Sequence, residues 1–190
     1  RTYHNDNNVR LIDLQASTGR VAMTVQDVEY EDYVRTNLVL DRKINHHEST
    51  LRTLIHGNGT LEPLSESPLA NNLGVNILVF TVDGQLIVQK RSNNVIVRPN
   101  EYCPSASGTV MAGDIPNQGT YLSKISLIRE ADEELGYRAA SGGDIFLLGV
   151  TRELIRGGEP ELFLVSRSEL SASEIKSRYV HARDRFESKN

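Results

Sequence analysis

A disulfide is excluded at once, because the 190-residue chain holds a single cysteine, Cys103. One thiol cannot close an internal bridge, so the fold stands without covalent staples and a reducing compartment, the cytoplasm, is expected. A long apolar run is also missing. The longest, around Val75 to Val82, falls far short of the roughly 20 residues a membrane-crossing helix needs. The first residues, Arg-Thr-Tyr-His-Asn, have neither an apolar signal core nor an initiating methionine, which reads as a processed product or a piece of a longer protein. Basic charge is not in excess: 21 Lys and Arg face 25 Asp and Glu, for a net charge of -4 and a pI near 5.8. That balance gives no electrostatic reason to expect a nucleic-acid polymer or an anionic membrane as partner. No Walker-type phosphate loop, serine nucleophile elbow, paired-cysteine motif or zinc-protease helix signature occurs.

What is present suffices for one sizeable core, since 38% of residues are hydrophobic, and one domain with an extension is expected. From Val9 to Gln26, apolar residues alternate on both sides of Ser17-Thr18-Gly19, which predicts a hairpin. Residues 28–41 fit a helix or a strand. The Gly, Pro, Ser and Asn residues between His56 and Leu73 predict a linker. Two β-rich runs flank Asp83-Gly84, predicting strands at about 75–81 and 85–91. A loop follows from Ser92 to Gly108, then a periodic helix over 121–135. Two more strands, in DIFLLGVTREL and ELFLVSRS, flank a Gly-Pro-containing break at 156–160. Strands before and after one long helix predict a mixed α/β domain.

Glu130, Glu133 and Glu134 fall within an arc of roughly 100° on a helix, because each residue advances about 100°. Leu122, Ile125, Ile128, Ala131 and Leu135 cluster on the opposite face, suited to a core. Grouped carboxylates repel unless something positive sits among them, and Mg2+ or Mn2+ are the hard, oxygen-seeking ions that would do so. A solvated acidic face is the simpler alternative. Arg129 stands four residues from Glu133 and can orient it, and Gly136 suits a left-handed helix end. Lys90, Arg91 and Arg98 flank the loop leading to Gly108 and are candidates to bind phosphates. Tyr102 precedes the Ser-rich part of that loop and is a candidate base-stacking residue. His46 and His47 are adjacent, point apart on any regular element and make a poor metal pair.

The string Arg129-Glu130-Ala131-Asp132-Glu133-Glu134-Leu135-Gly136-Tyr137 resembles the second half of the Nudix box, R-E-U-x-E-E-x-G-U, with Ala131 and Tyr137 at the apolar positions. The first half departs from the family pattern. Asp114, one methylene shorter than the expected glutamate, stands six positions after Gly108, and the stretch between Asp114 and Arg129 is expanded to include Ile-Pro-Asn-Gln-Gly-Thr. A loop can take up that expansion before the helix.

The resemblance runs from about Leu73 to at least Ser168. It implies a Nudix-like α/β/α sandwich with a mixed sheet over 73–190, preceded by a β-rich extension and linker over 1–72. The chain ends where that family usually continues to another strand and helix. The resemblance also implies Mg2+- or Mn2+-dependent cleavage of a nucleoside diphosphate linked to another moiety, such as an NDP-sugar or ADP-ribose. Glu130, Glu133, Glu134 and Arg129 are then the catalytic group, with Glu130 and Glu134 as direct metal ligands and Glu133 as a third or water-mediated one. Lys90, Arg91, Arg98 and Gly108 would bind substrate. Glu174 is the candidate general base, with Glu159 and Glu161 as competitors. A small-molecule substrate and a homodimer are expected, in the cytoplasm. A related family of the same fold isomerises isopentenyl diphosphate, but its cysteine and histidine align with Ser107 and Thr109 here, which argues against that chemistry. A Nudix-like nucleotide sensor or interaction domain is the main alternative.

Overall fold

The computed structural model describes residues 7–44, 49–57, 59–95, 98–115, 122–137, 145–183 and 188–189, with backbone alone for 122–127 and 188–189. His46, His47, Tyr121 and the expanded stretch 116–120 lie outside the described residues, as do the side chains of Leu122 and Ile125. The chain divides into two compact units. The first comprises Arg1–Gly74, Thr109–Gly113 and Thr151–Glu161; the second comprises Val75–Gly108, Asp114–Val150 and Leu162–Asn190.

In the first unit, β1 (Asn7–Ser17) and β2 (Arg20–Glu29) form the expected antiparallel hairpin, with a bulge between Leu11 and Asp13. Gly19 turns it at a φ of 71°, a left-handed conformation that suits glycine. The period of two puts Val9 and Leu11 on one side of β1, and both are fully buried. The ambiguous stretch 28–41 resolves into the end of β2, the short helix α1 (Tyr30–Arg35) and a 3-10 turn at Asn37–Val39. Helix α2 (Leu51–His56) starts at Thr50, whose side chain accepts a hydrogen bond from the Thr53 amide at 3.1 Å.

The stretch after His56 is built by side chains rather than by a ladder. Arg10 donates to the carbonyl of Ser67 at 2.8 Å, and the Asn37 amide donates to Asn71 Oδ1 at 2.9 Å. Leu69, Asn71, Asn72 and Leu73 are fully buried. The irregular backbone is thus buried at Ser67 and from Leu69 to Leu73, whereas Gly57, Gly59, Pro63, Ser65 and Pro68 are exposed.

The second unit is organised on strands β3 (Gly74–Phe80), β4 (Leu86–Ile87), β5 (Gln89–Arg91), β6 (Tyr102–Cys103), β7 (Ala106–Thr109), β8 (Ile145–Glu153), β9 (Glu159–Arg167) and β10 (Ser188–Lys189). Its helices are α3 (Leu122–Leu135) and α4 (Ala172–Tyr179). The main sheet has the order β4-β3-β9-β8 with β7 paired to β3, and a smaller sheet has the order β10-β5-β6. Val79 faces Ile87 and Phe80 faces Leu86 across the turn at Gly84, where φ is 76°. The class is mixed α/β with a mixed sheet and few helices, as the order of sequence patterns predicts.

Alternation buries Val75, Ile77 and Val79 on β3 and Leu162 and Leu164 on β9; Ala131 and Leu135 of α3 and Ile175 of α4 are buried too. Helix α3 packs on α4. The region read as a loop from Ser92 to Gly108 differs from expectation, because it contains β6 and β7. These strands have only two and four residues, too few for alternation to stand out among Pro, Ser and Gly.

Candidate functional site

The acidic face of α3 turns inward. Glu130 is 7% exposed and Glu134 8%, which overturns the simple picture of a solvated acidic stripe. On the same helix Ala131 and Leu135 are buried and Ile128 is half-buried. The helix ends where expected: Gly136 has a φ of 62°, and the amides of Gly136 and Tyr137 close onto the carbonyls of Asp132 and Ala131.

Arg129 ties the acids together. Its guanidinium donates to both oxygens of Asp114, at 3.2 and 3.0 Å, and to Glu133 Oε2 at 3.2 Å; Glu130 Oε1 lies 2.8 Å from the same nitrogen that serves Glu133. Asp114 is itself buried, on a 3-10 turn at Ala112–Asp114. Burial alone would lower the Arg129 pKa, but the Asp114 hydrogen bonds and the charges of Glu130, Asp114 and Glu133 outweigh it and raise it. Burial pushes the Glu130 carboxyl up to about 7; Arg129 opposes that rise and Glu133 adds to it.

Gly108 explains how Glu130 is accommodated. A β-carbon built at Gly108 would stand 2.1 Å from Glu130 Oε1 and would overlap the rest of the carboxyl group as well. Only a bare backbone leaves the carboxylate its place. The two landmarks of the first half of the motif, Gly108 and Asp114, thus meet Glu130 and Arg129 of the second.

Glu134 is held by residues that the sequence pattern did not single out. Its Oε1 accepts from the Ser107 amide at 3.2 Å, and its Oε2 accepts from Gln89 Nε2 at 2.9 Å. Arg183, just beyond α4, reaches Glu133 Oε1 at 2.7 Å. Gln89 was legible only as one polar residue in the run QLIVQKR. The signal that could have found it is its position two residues beyond Ile87 on an alternating pattern.

Lys90 and Arg91 follow Gln89 on β5, with the Lys90 ammonium 5.3 Å from the Tyr102 ring centroid; Arg98 sits in a turn with a φ of 48°. Glu174 is not brought to the acids of α3. It completes a capping box with Ser171, accepting from the Ser171 amide at 2.8 Å and hydroxyl at 2.7 Å, which holds its carboxyl below the usual range. The partners of Glu174 in this structure are thus those of a helix cap.

Glu159 and Glu161 belong to a buried network of the first unit. Tyr33 donates to Glu159 Oε2 at 2.9 Å, Arg156 donates to the Tyr33 hydroxyl at 3.0 Å, and Arg156 also pairs with Glu161.

Among the described residues, no group of three or more His, Cys, Asp or Glu side chains is gathered in an arrangement that could hold a metal ion. The donor chemistry nevertheless suits a hard divalent cation. Four carboxyl groups, from Asp114, Glu130, Glu133 and Glu134, share this region with the guanidiniums of Arg129 and Arg183, and carboxylate oxygens are the ligands such an ion takes.

No family model matches the chain, and no curated protein does either. Among solved structures it is similar to DR0079 from Deinococcus radiodurans, at 24% identity and a TM-score of 0.40, over 53% of this chain and 57% of that one. It is also similar to the MutT protein from Methanosarcina mazei, at 20% identity and a TM-score of 0.38, over 53% of this chain and 64% of that one. The chain spans less than two thirds of either. Among the described residues, no helix is long and apolar enough to cross a membrane.

Proposed function

We propose that the chain is a Nudix-type hydrolase that uses Mg2+ or Mn2+ to cleave a nucleoside diphosphate linked to another moiety, an NDP-sugar or ADP-ribose-like compound, into two phosphorylated products. The observation that carries this reading is the meeting of the two halves of the motif: Gly108 against Glu130, and Asp114 on Arg129. Glu130, Glu133 and Glu134 would hold the ion. A divalent cation there supplies charge neutralisation for phosphoryl oxygens and a lowered pKa for a bound water.

The rest falls to the chain's own side chains. Arg129 fixes Glu130 and Glu133 relative to Asp114, and Gln89 with the Ser107 amide fixes both oxygens of Glu134. Lys90, Arg91 and Arg98 are the proposed phosphate contacts, with Lys90 and Arg91 supported by their place on the strand that carries Gln89. The proposed partner is a small nucleotide rather than a nucleic-acid polymer or membrane, in keeping with the net charge of -4. The proposed compartment is the cytoplasm, in keeping with a single cysteine. A homodimer is the proposed assembly, and Phe146 and Leu148, exposed on β8, are apolar residues it could bury.

A second reading, a nucleotide sensor without turnover, is favoured by the hold that Arg129 and Arg183 already have on the acids. One panel separates the two. The protein is incubated with NDP-sugars, ADP-ribose and dinucleoside polyphosphates plus Mg2+ or Mn2+, and products and melting temperature are followed together. Hydrolysis of one class supports the enzyme; a raised melting temperature with the ligand unconsumed supports the sensor and overturns the enzyme.

A further inference from the structure

The hydrogen bonds around Glu134 lead back into the strands. The Ser105 hydroxyl donates to the Ile87 carbonyl at 2.6 Å and accepts from the Val79 amide at 2.7 Å, so one fully buried side chain spans the β3–β4 pair. The Ser105 carbonyl accepts from Gln89 Nε2 at 2.6 Å, and the same nitrogen donates to Glu134 Oε2 at 2.9 Å. A primary amide has two N–H bonds, and these two acceptors match them. Gln89 is 6% exposed, so water cannot readily replace either acceptor. The amide orientation is therefore set by the backbone carbonyl of Ser105, in the bend between β6 and β7, and passed to a carboxylate on α3.

We propose that Gln89 is a positioning residue of the metal centre: it fixes the rotamer of Glu134 so that this carboxylate meets an incoming divalent cation already oriented. The proposal rests on the assignment of Glu134 as a metal ligand. Carboxylate ligands held by a second ring of hydrogen bonds lose less freedom on binding the ion, and removing such a partner typically weakens metal affinity by roughly 10- to 100-fold. The Ser107 amide restrains Oε1, and loss of Gln89 removes the hydrogen bond that restrains Oε2. The action of Gln89 runs through Glu134 and requires no contact between Gln89 and the metal.

The test is Mn2+ binding, read from the electron paramagnetic resonance signal of free Mn2+, for the full chain, Gln89→Leu, Gln89→Asn, Glu134→Gln and the pair Gln89→Leu with Glu134→Gln. Both hydrogen bonds leave the same Nε2, so Gln89→Asn, a methylene shorter, draws that nitrogen back from Ser105 and Glu134 together while keeping a polar amide where Gln89→Leu puts an apolar side chain. Each protein is measured below its own melting transition.

The expected result is affinity weakened by roughly 10- to 100-fold in both single Gln89 variants, with no further loss when Gln89→Leu is added to Glu134→Gln. Undiminished affinity in the Gln89 variants overturns the proposal while leaving Glu134 as a ligand. So does an equal further loss in the Glu134→Gln background, which would mark Gln89 as merely structural. If the unaltered chain and Glu134→Gln take up Mn2+ alike, the metal assignment itself fails and the proposal falls with it.

Discussion

Replacing Gly108 with alanine adds one methyl group and puts the geometry of the site under direct test. Gly108 does not have a left-handed φ, so alanine is tolerated by the backbone itself. The added carbon, however, would stand 2.1 Å from Glu130 Oε1. Non-bonded carbon and oxygen do not approach closer than about 3 Å, so the carboxylate must retreat by about 1 Å, and a misplacement of that size costs roughly 100-fold in rate.

The stability effect should be small by comparison. Glu130 would give up its 2.8 Å approach to Arg129, but it would also escape part of the burial that pushes its carboxyl up to about 7. These terms oppose each other, leaving a net change within about 2 kcal/mol. Urea denaturation gives the stability, and metal-dependent turnover with Mn2+ affinity gives the function. An alanine variant with unchanged turnover and Mn2+ affinity would refute the reasoning, because Glu130 would then have no need of its present position.

Gly136→Ala should destabilise by about 1 kcal/mol or more, since φ is 62° and a β-carbon would stand 2.7 Å from the Arg178 carbonyl oxygen of α4; an unchanged urea midpoint would contradict this. Arg129→Ala removes the cation that Asp114, Glu130 and Glu133 share, although Glu133 keeps Arg183, and should cost about 3 kcal/mol, with Arg129→Lys intermediate because an ammonium cannot fork across Asp114; equal stability of the two variants in urea would count against the network. Glu174→Gln should retain turnover, because Glu174 caps α4; a loss of 100-fold or so would restore it as a general base. Burial pushes the Glu159 carboxyl up to about 8, with Arg156 opposing and Glu161 adding. An acid raised in the folded state stabilises the fold while protonated, so this contribution falls as pH rises from about 4.5 toward 8 and levels off above. Urea midpoints across that range should show a Glu159→Gln variant lacking this part of the slope, and an identical slope would contradict it.

Legibility in the sequence followed the range of the interactions. The α3 acids and the Arg129–Glu133 pair lie within single helical turns, where spacing alone determines which groups meet. The hairpins at Gly19 and Gly84 are equally local. Asp114 was identified by its offset from Gly108, but its bond to Arg129 spans 15 residues of sequence and needs the tertiary fold. Gln89 to Glu134 spans 45, and Tyr33 to Glu159 spans 126; no spacing rule reaches so far. Glu174 carries a local signal of another kind: Ser171 stands three residues before it, the spacing of the capping box that the structure shows. The inward turn of Glu130 and Glu134 was also hidden, since helical arithmetic groups residues on a face without saying what covers that face.

We propose above that the acids of α3 hold a divalent cation that acts on a phosphoanhydride. The most direct test is the rate of hydrolysis of the responding NDP-linked substrate as a function of Mn2+ or Mg2+ concentration, for the unaltered chain and for Glu134→Gln. Saturable, metal-dependent release of two phosphorylated products by the unaltered chain is expected, with loss of that activity in the variant. Metal-independent turnover, or equal turnover by the variant at every metal concentration, would contradict it.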